Sequence, residues 1–273
     1  MSGKFDILIV GGGPAGISAA LTALNRGKSV GVIANPPPSS KLSLAEEVTN
    51  YPGISGSGSE IMEAMHRQLV DSTATIIEGR ALSVMPLGGT VGAAVGNDFF
   101  EASAVIVATG ISRRPICAGE SSFLGRGVSY CATCDGMLYR GKTVAVIGEG
   151  AEAESDIRFL RDIGCEVLTF SGKGKFDIRD DTSADTLVVN GKEYKTDCIF
   201  ILKETLSAES LVPGIETERG IIKTTRAGET NIKGVFAAGD CTGAPYQLAK
   251  AAGEGNVAAL TACEYINSLT KEK

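Results

Sequence analysis

The chain opens with an apolar run from Phe5 to Val10, interrupted only by Asp6, and then meets Gly11-Gly12-Gly13-Pro14-Ala15-Gly16. A helix-like stretch follows from Ile17 to Asn25, and a second short apolar run from Ser29 to Ile33. Short β-rich runs on either side of a helical pattern predict a strand–helix–strand unit. The pattern returns later. Thr143 to Ile147 predicts a strand, Gly148-Glu149-Gly150-Ala151-Glu152-Ala153 a turn, Ala151 to Ile163 a helix and Glu166 to Phe170 a strand. Two more apolar runs end in turn residues, Ala104 to Ala108 before Thr109-Gly110 and Val235 to Ala238 before Gly239-Asp240. They read as strand ends of the first unit, so the second unit is inserted within it, with boundaries near 112–118 and 205–210. Pro36-Pro37-Pro38-Ser39-Ser40 reads as a stiff surface loop, and 61–70 as a surface helix carrying a solvated His66.

The glycines between the first strand and helix have the spacing Gly11-x-Gly13-x-x-Gly16. The first permits a tight turn, the second lets backbone approach a pyrophosphate, and the third lets helix pack on strand. The helix N-terminus adds unpaired N–H groups and the positive end of a dipole. The fold class is therefore α/β, with two Rossmann-like, three-layer nucleotide-binding domains, the second reduced and inserted in the first. The expected division is 1–114 and 208–273 for the outer domain and 115–207 for the inserted one.

Composition narrows the partners. With 273 residues, 43% hydrophobic and 21% charged, the chain reads as a soluble enzyme. Its net charge of -6 argues against nucleic acid as the main partner. No apolar run approaches the ~18 residues that span a bilayer, and the first run lacks a cleavage-site pattern, so the expected location is the cytoplasm. Thiols there are normally reduced, and the 7 cysteines read as redox, metal or core residues. Only Cys131 and Cys134 are close enough to form a motif. Two cysteines separated by two residues can close a reducible ring. Zinc would need further ligands at similar spacing, and the single histidine, His66, is far away, so no metal is expected. Cys117, Cys165, Cys198, Cys241 and Cys263 read as small core residues, with Cys241 worth probing beside Asp240.

Five segments in this order carry a resemblance: Gly11 to Gly16, Glu47-Val48-Thr49-Asn50-Tyr51-Pro52-Gly53, Ala108-Thr109-Gly110, Cys131-Ala132-Thr133-Cys134-Asp135-Gly136, and Gly234 to Asp240. Together they resemble the low-molecular-weight thioredoxin reductase family over nearly the whole chain. The resemblance implies FAD on the outer domain, a redox disulfide on the inserted one, thioredoxin as substrate and a homodimer. It places Gly11, Gly13, Pro14, Ala15 and Gly16 at the pyrophosphate. It assigns Ala34, Asn35, Lys41, Leu42, Asn50, Ala81, Thr109, Gly110, Gly239, Asp240, Gln247 and Leu248 to the rest of the cofactor. It also implies that Cys134 faces the flavin, that Cys131 attacks the partner's disulfide, and that Asp135 serves as acid or base. Two departures are visible. Ala34-Asn35 stands where many dinucleotide folds place a ribose-binding acid, and Ser39-Ser40-Lys41-Leu42 replaces Gly-Gly-Gln-Leu. Lys41 beside a flavin would favour an anionic reduced form.

The second glycine turn departs further. The family binds NADPH there, using arginine forks after the next strand. This chain keeps Gly148, Gly150 and Ala153 but adds Glu149 and Glu152, and has Ser171-Gly172-Lys173-Gly174-Lys175 in place of the arginines. A carboxylate about 5 Å from a phosphate charge costs on the order of 3 kcal/mol at an effective dielectric of ~20. The expectation is that NADPH binding is lost. The chain then looks like the ferredoxin-dependent flavin thioredoxin reductase branch, in which ferredoxin supplies electrons to FAD one at a time. Two alternatives remain open: an NADPH-dependent reductase whose Lys173 and Lys175 hold phosphate, and a dithiol oxidase of the same fold.

Overall fold

The computed structural model describes residues 2–34, 40–45, 47–110, 116–120, 122–123, 126–129, 132–149, 151–172, 174–179, 184–202 and 207–271. The side chains of Ser2, Lys41, Leu44, Thr133, Cys134, Ala151, Glu152, Thr270 and Lys271 are outside that description. The chain forms two compact units, Met1–Ser112 with Ser207–Lys273, and Arg113–Leu206.

The outer unit starts with β1 (Ser2–Val10), α1 (Pro14–Asn25) and β2 (Val30–Ala34). β1 begins three residues before the predicted run, because Ser2 to Phe5 pair in parallel with Phe99 to Ala102. α1 also starts early, at Pro14, where a missing N–H leaves no donor unpaired. Next come α2 (Gly58–Val70), β3 (Thr75–Glu78), β4 (Ala81–Pro86), β5 (Val91–Val95) and β6 (Asp98–Val107). α2 is fixed by a capping box. The Ser57 hydroxyl accepts from the Glu60 N–H, and the Glu60 carboxylate accepts from the Ser57 N–H. His66 is half-buried on this helix rather than fully solvated.

The inserted unit contains β7 (Cys117–Ala118), β8 (Val128–Ser129), α3 (Ala132–Asp135), β9 (Thr143–Ile147), α4 (Ala151–Asp162), β10 (Glu166–Phe170), β11 (Phe176–Arg179), β12 (Thr186–Val189), β13 (Lys192–Lys195) and β14 (Cys198–Ile201). A parallel sheet in the order β10-β9-β14-β8 lies against a second sheet in the order β13-β12-β11-β7. Strand periodicity sorts the β9 side chains. Ala145 and Ile147 pack with Phe176, Ile178 and Leu187 from the second sheet. Val144 and Val146 pack with Ala132 and Leu160 from α3 and α4. The unit is thus three layers: helices, parallel sheet, small sheet. The β12–β13 hairpin turns at Asn190 (φ 51°) and Gly191 (φ 87°), the positive dihedrals that favour Asn-Gly.

The chain returns to the outer unit with α5 (Ala208–Leu211), β15 (Thr217–Glu218), β16 (Ile221–Ile222), β17 (Val235–Ala237) and α6 (Leu248–Lys271). β17 joins the main sheet beside β6, whose first half pairs antiparallel with β5 and whose last residues pair in parallel with β17. The result is a parallel core β3-β2-β1-β6-β17 with an antiparallel hairpin on the start of β6. Small residues bring α6 close to α1. A Cβ on Gly255 would lie 2.1 Å from the Ala15 carbonyl oxygen. The Ser18 hydroxyl donates to the Ala252 carbonyl at 2.7 Å, and Asn256 donates to Thr22 Oγ1 at 2.9 Å.

This contact makes a paired prediction within one helix. Gly255→Ala must push the two helices apart and should cost about 1–3 kcal/mol. Gly253→Ala, with nothing within 4 Å of its new methyl, should stabilise by roughly 0.5–1 kcal/mol. Urea unfolding followed by far-UV circular dichroism checks both; equal midpoints for the two variants would refute the packing assignment.

Candidate functional site

The parallel strands of the outer unit end along one edge, the usual ligand side of an open α/β sheet. β1 leads to Gly11, β2 ends at Ala34, β6 leads to Thr109-Gly110 and β17 leads to Gly239-Asp240. These ends are tied together. The Gly11 N–H donates to the Ile33 carbonyl at 2.9 Å, and the Ala108 N–H to the Val10 carbonyl at 2.8 Å. The Gly79 N–H donates to the Ala34 carbonyl at 3.1 Å, bringing Ala81 at the start of β4 to the same edge. Gly11 needs its glycine, because at φ 122° an added Cβ would sit 2.2 Å from the Ala108 carbonyl oxygen. Gly16 is as constrained, its Cβ falling 1.8 Å from the Gly11 carbonyl oxygen. The α1 N-terminus has Gly13 at its N-cap and no side-chain cap, which leaves backbone N–H groups to a phosphate.

On the far side of the edge, exposed Asn50 donates through Nδ2 to Gln247 Oε1 at 2.8 Å. Two residues separated by 197 positions and both expected at the cofactor therefore touch. Leu248 opens α6. Leu42 lies in a short 3-10 turn, Lys41–Leu44, and packs against the core. Asn35 and the Lys41 side chain lie outside the described residues.

A polar network unread in the sequence grips the Gly239–Thr242 turn. Lys250 Nζ donates to the Gly239 carbonyl at 2.8 Å, the Gly243 carbonyl at 2.6 Å and Thr242 Oγ1 at 2.9 Å. Glu254 Oε2, 3.1 Å from Lys250 Nζ, accepts from the Gly239 N–H at 2.9 Å and from the Thr242 hydroxyl at 2.7 Å. The only sequence signal is the i, i+4 spacing of opposite charges. Cys241 lies beneath, its thiol directed at the Val107 and Ala238 carbonyls. Burial pushes this thiol up to about 12, against opposing pulls from the Ala238 hydrogen bond and the Lys250 charge. Cys241 is therefore a core residue with no thiolate near neutral pH.

In the inserted unit, Cys131 and the Cys134 side chain lie outside the described residues, whereas Asp135 is described. α3 is held down by the following turn, where a Cβ on Gly136 would meet Leu160 and Phe159 of α4 within 3.0 Å. Buried Ser129 at the end of β8 donates its hydroxyl to Asp135 Oδ2 at 2.6 Å. Tyr139 and Cys198 lie close by, and burial pushes each group up to about 12. The Cys165 thiol donates to the Tyr139 carbonyl at 3.1 Å. Met137 and Leu138, directly after the motif, are 54% and 71% exposed.

The second glycine turn keeps its packing role. A Cβ on Gly148 would lie 2.9 Å from Leu202 Cβ and 3.3 Å from Ala153 Cβ. Glu149 is exposed at the turn and Lys175 is exposed before β11, while Gly150, the Glu152 side chain and Lys173 lie outside the described residues. Among the described residues, no group of three or more His, Cys, Asp or Glu side chains could hold a metal ion. None of their helices is long and apolar enough to cross a membrane.

Sheet edge, uncapped helix and repeated βαβ unit together define a two-unit nucleotide-binding architecture. The profile described as pyridine nucleotide-disulphide oxidoreductase matches residues 5–176 and 158–255, and the chain belongs to that family. Its relatives there are thioredoxin reductases, which are FAD-binding flavoproteins. The chain is 30% identical over 304 residues to the thioredoxin reductase of Bacillus subtilis, covering 97% of this chain and 96% of that one. Among solved structures it is similar to a ferredoxin-flavin thioredoxin reductase from Clostridium acetobutylicum, with TM-score 0.91, 35% identity, and 98% and 99% of the two chains covered. A thioredoxin reductase from Gloeobacter violaceus matches with TM-score 0.83 and 26% identity over 97% and 95%. The resemblance on the five sequence segments is thus borne out, as is the α/β two-domain fold.

The raised thiols give a pH-dependent prediction. Cys198 and Cys241 have an ordinary value of 9.0 but remain protonated in the folded chain to about 12. Unfolding releases their protons first, so the stability they contribute is full below pH 9.0 and is lost as pH rises toward 12. Reduced native protein at pH 8 should leave both thiols unlabelled by a disulfide reagent until it is denatured. Labelling of Cys241 in the native state, located by peptide mapping, would contradict its burial.

Proposed function

We propose that this chain is a flavin-dependent disulfide reductase that takes electrons from reduced ferredoxin and delivers them, through FAD and the Cys131/Cys134 pair, to thioredoxin. The observation that carries the choice of donor is the end-to-end likeness to a ferredoxin-flavin thioredoxin reductase. The exposed Glu149 supports it from within the chain, since a carboxylate at the second glycine turn opposes a nucleotide phosphate.

The outer unit fits FAD. Gly11, Gly13, Pro14, Ala15 and Gly16 would hold its pyrophosphate through backbone N–H groups. Ala34, Asn35 and Ala81 would line one end of the cofactor. Lys41, Leu42, Asn50, Thr109, Gly110, Gly239, Asp240, Gln247 and Leu248 would hold the remainder. An Asp240 carboxylate can accept from sugar hydroxyls, and the α6 N-terminus favours negative charge beside it. When bound, FAD supplies the exchange between one-electron uptake and two-electron delivery.

The cysteine pair then acts by thiol–disulfide exchange. The Cys131 thiolate attacks one sulfur of the thioredoxin disulfide, and the other sulfur leaves as a thiolate. The Cys134 thiolate next attacks Cys131 Sγ, which releases reduced thioredoxin and re-forms the 131–134 disulfide. Asp135, held by Ser129, moves the thiol protons. Met137 and Leu138, exposed shortly after the cysteine motif in the sequence, would give thioredoxin an apolar surface. The working form is a cytoplasmic homodimer. A donor role for NADPH is the second reading, favoured by the intact βαβ packing around Gly148.

Anaerobic titration separates the donors. Chemically reduced ferredoxin should bleach the flavin absorbance, and NADPH should leave it unchanged; rapid bleaching by NADPH would select the second reading. For the sulfur roles, Cys131→Ser should leave a Cys134 thiolate against the flavin and produce a long-wavelength charge-transfer band. A band seen only in Cys134→Ser would exchange the two roles.

A further inference from the structure

The Lys250–Glu254 pair has more bonds than an ion pair on a helix surface needs. Lys250 is 14% exposed, and its three donors reach two carbonyls and a hydroxyl of one short turn, with its carboxylate partner 3.1 Å away. Glu254 takes the N–H of Gly239, where that turn starts, and the Thr242 hydroxyl. Two side chains one helical turn apart thus fasten both ends of the Gly239–Gly243 turn, by its N–H and by its carbonyls.

The turn needs fastening. Gly239 and Gly243 sit at φ 86° and 103°, dihedrals at which glycine loses much conformational freedom on ordering. Held, the turn carries Asp240 in one position and ties it to the first turns of α6, directly before which Gln247 accepts from Asn50. Without the ammonium, the Gly239 and Gly243 carbonyls lose their Lys250 bonds and Glu254 loses its cation.

We infer that Lys250, paired with Glu254, is a positioning residue for the flavin: it pre-orders the Asp240 turn so that cofactor binding does not meet that entropy cost. This rests on the reading of the outer unit as the FAD site. The ammonium acts through the turn and carries no electron.

The test is cofactor titration of the full chain stripped of flavin, using FAD itself and following quenching of flavin fluorescence. Lys250→Met should weaken FAD binding by about tenfold or more. Lys250→Arg, which keeps the charge and several donors, should restore binding to within about threefold of wild type. Glu254→Gln should fall between them. The thermal midpoint of each stripped protein, followed by far-UV circular dichroism, should stay close to wild type for Lys250→Arg and drop by only a few degrees for Lys250→Met. Wild-type affinity in Lys250→Met, or weakened binding unrelieved by arginine, would overturn the inference while leaving the FAD site intact. So would collapse of the Lys250→Met fold in parallel with lost binding. Failure of the stripped wild-type protein to take up FAD would instead sink the site reading beneath it.

Discussion

The outer unit depends on backbone approaching backbone more closely than any side chain permits. Gly16 brings α1 onto the turn after β1, and Gly255 brings α6 onto α1, each at a separation that a methyl group would block. Because these contacts are main chain against main chain, they set the helix positions by hard-core repulsion on one side and close packing on the other. That placement leaves the α1 N-terminus uncapped above the sheet edge and carries the first turns of α6 across to Asn50. The open helix end and the Asn50–Gln247 contact are two results of one steric arrangement.

Strands buried on both faces were the most readable part of the sequence. β9 has its predicted bounds, since a continuous apolar run bounded by turns has few other uses; β10, a partly exposed edge strand, also has them as the second strand of the repeated unit. β6 was half visible. Its last residues are uniformly apolar, but Asp98, Glu101 and Ser103 interrupt the first half, where one face is partly open to solvent and the partner is the β4–β5 hairpin. The β11–β12–β13 meander escaped for the same reason, although Asn190-Gly191 marked its turn.

The candidate site divides along a similar line. Glycine spacing and the paired cysteines are local patterns, and both point to their chemistry from short range. Lys250, Glu254 and Ser129 acquire a role only when chain segments meet. Nothing in Lys250 alone foretells that its ammonium will find the carbonyls of a turn several residues earlier. Ser129 ends a two-residue strand, and its hydroxyl finds Asp135 because α3 folds back over the strand end. The five cysteines outside the motif show the reverse case. Their burial was legible from residue type, and the desolvation of Cys241 and Cys198 explains why they remain bystanders in a protein that exchanges disulfides.

The forked pairing of β6 has a consequence for the order in which the chain can be made. Its parallel neighbour β17 and the helix backing α1 are both encoded after the insertion. While the ribosome is still producing the inserted segment, the amino-terminal portion must wait with one flank of its central strand unpaired and α1 without its mate. The inserted unit is contiguous and closes its own three layers from residues already emerged. The internal segment can therefore close before the flanking halves, which meet only once β17 and α6 have been made.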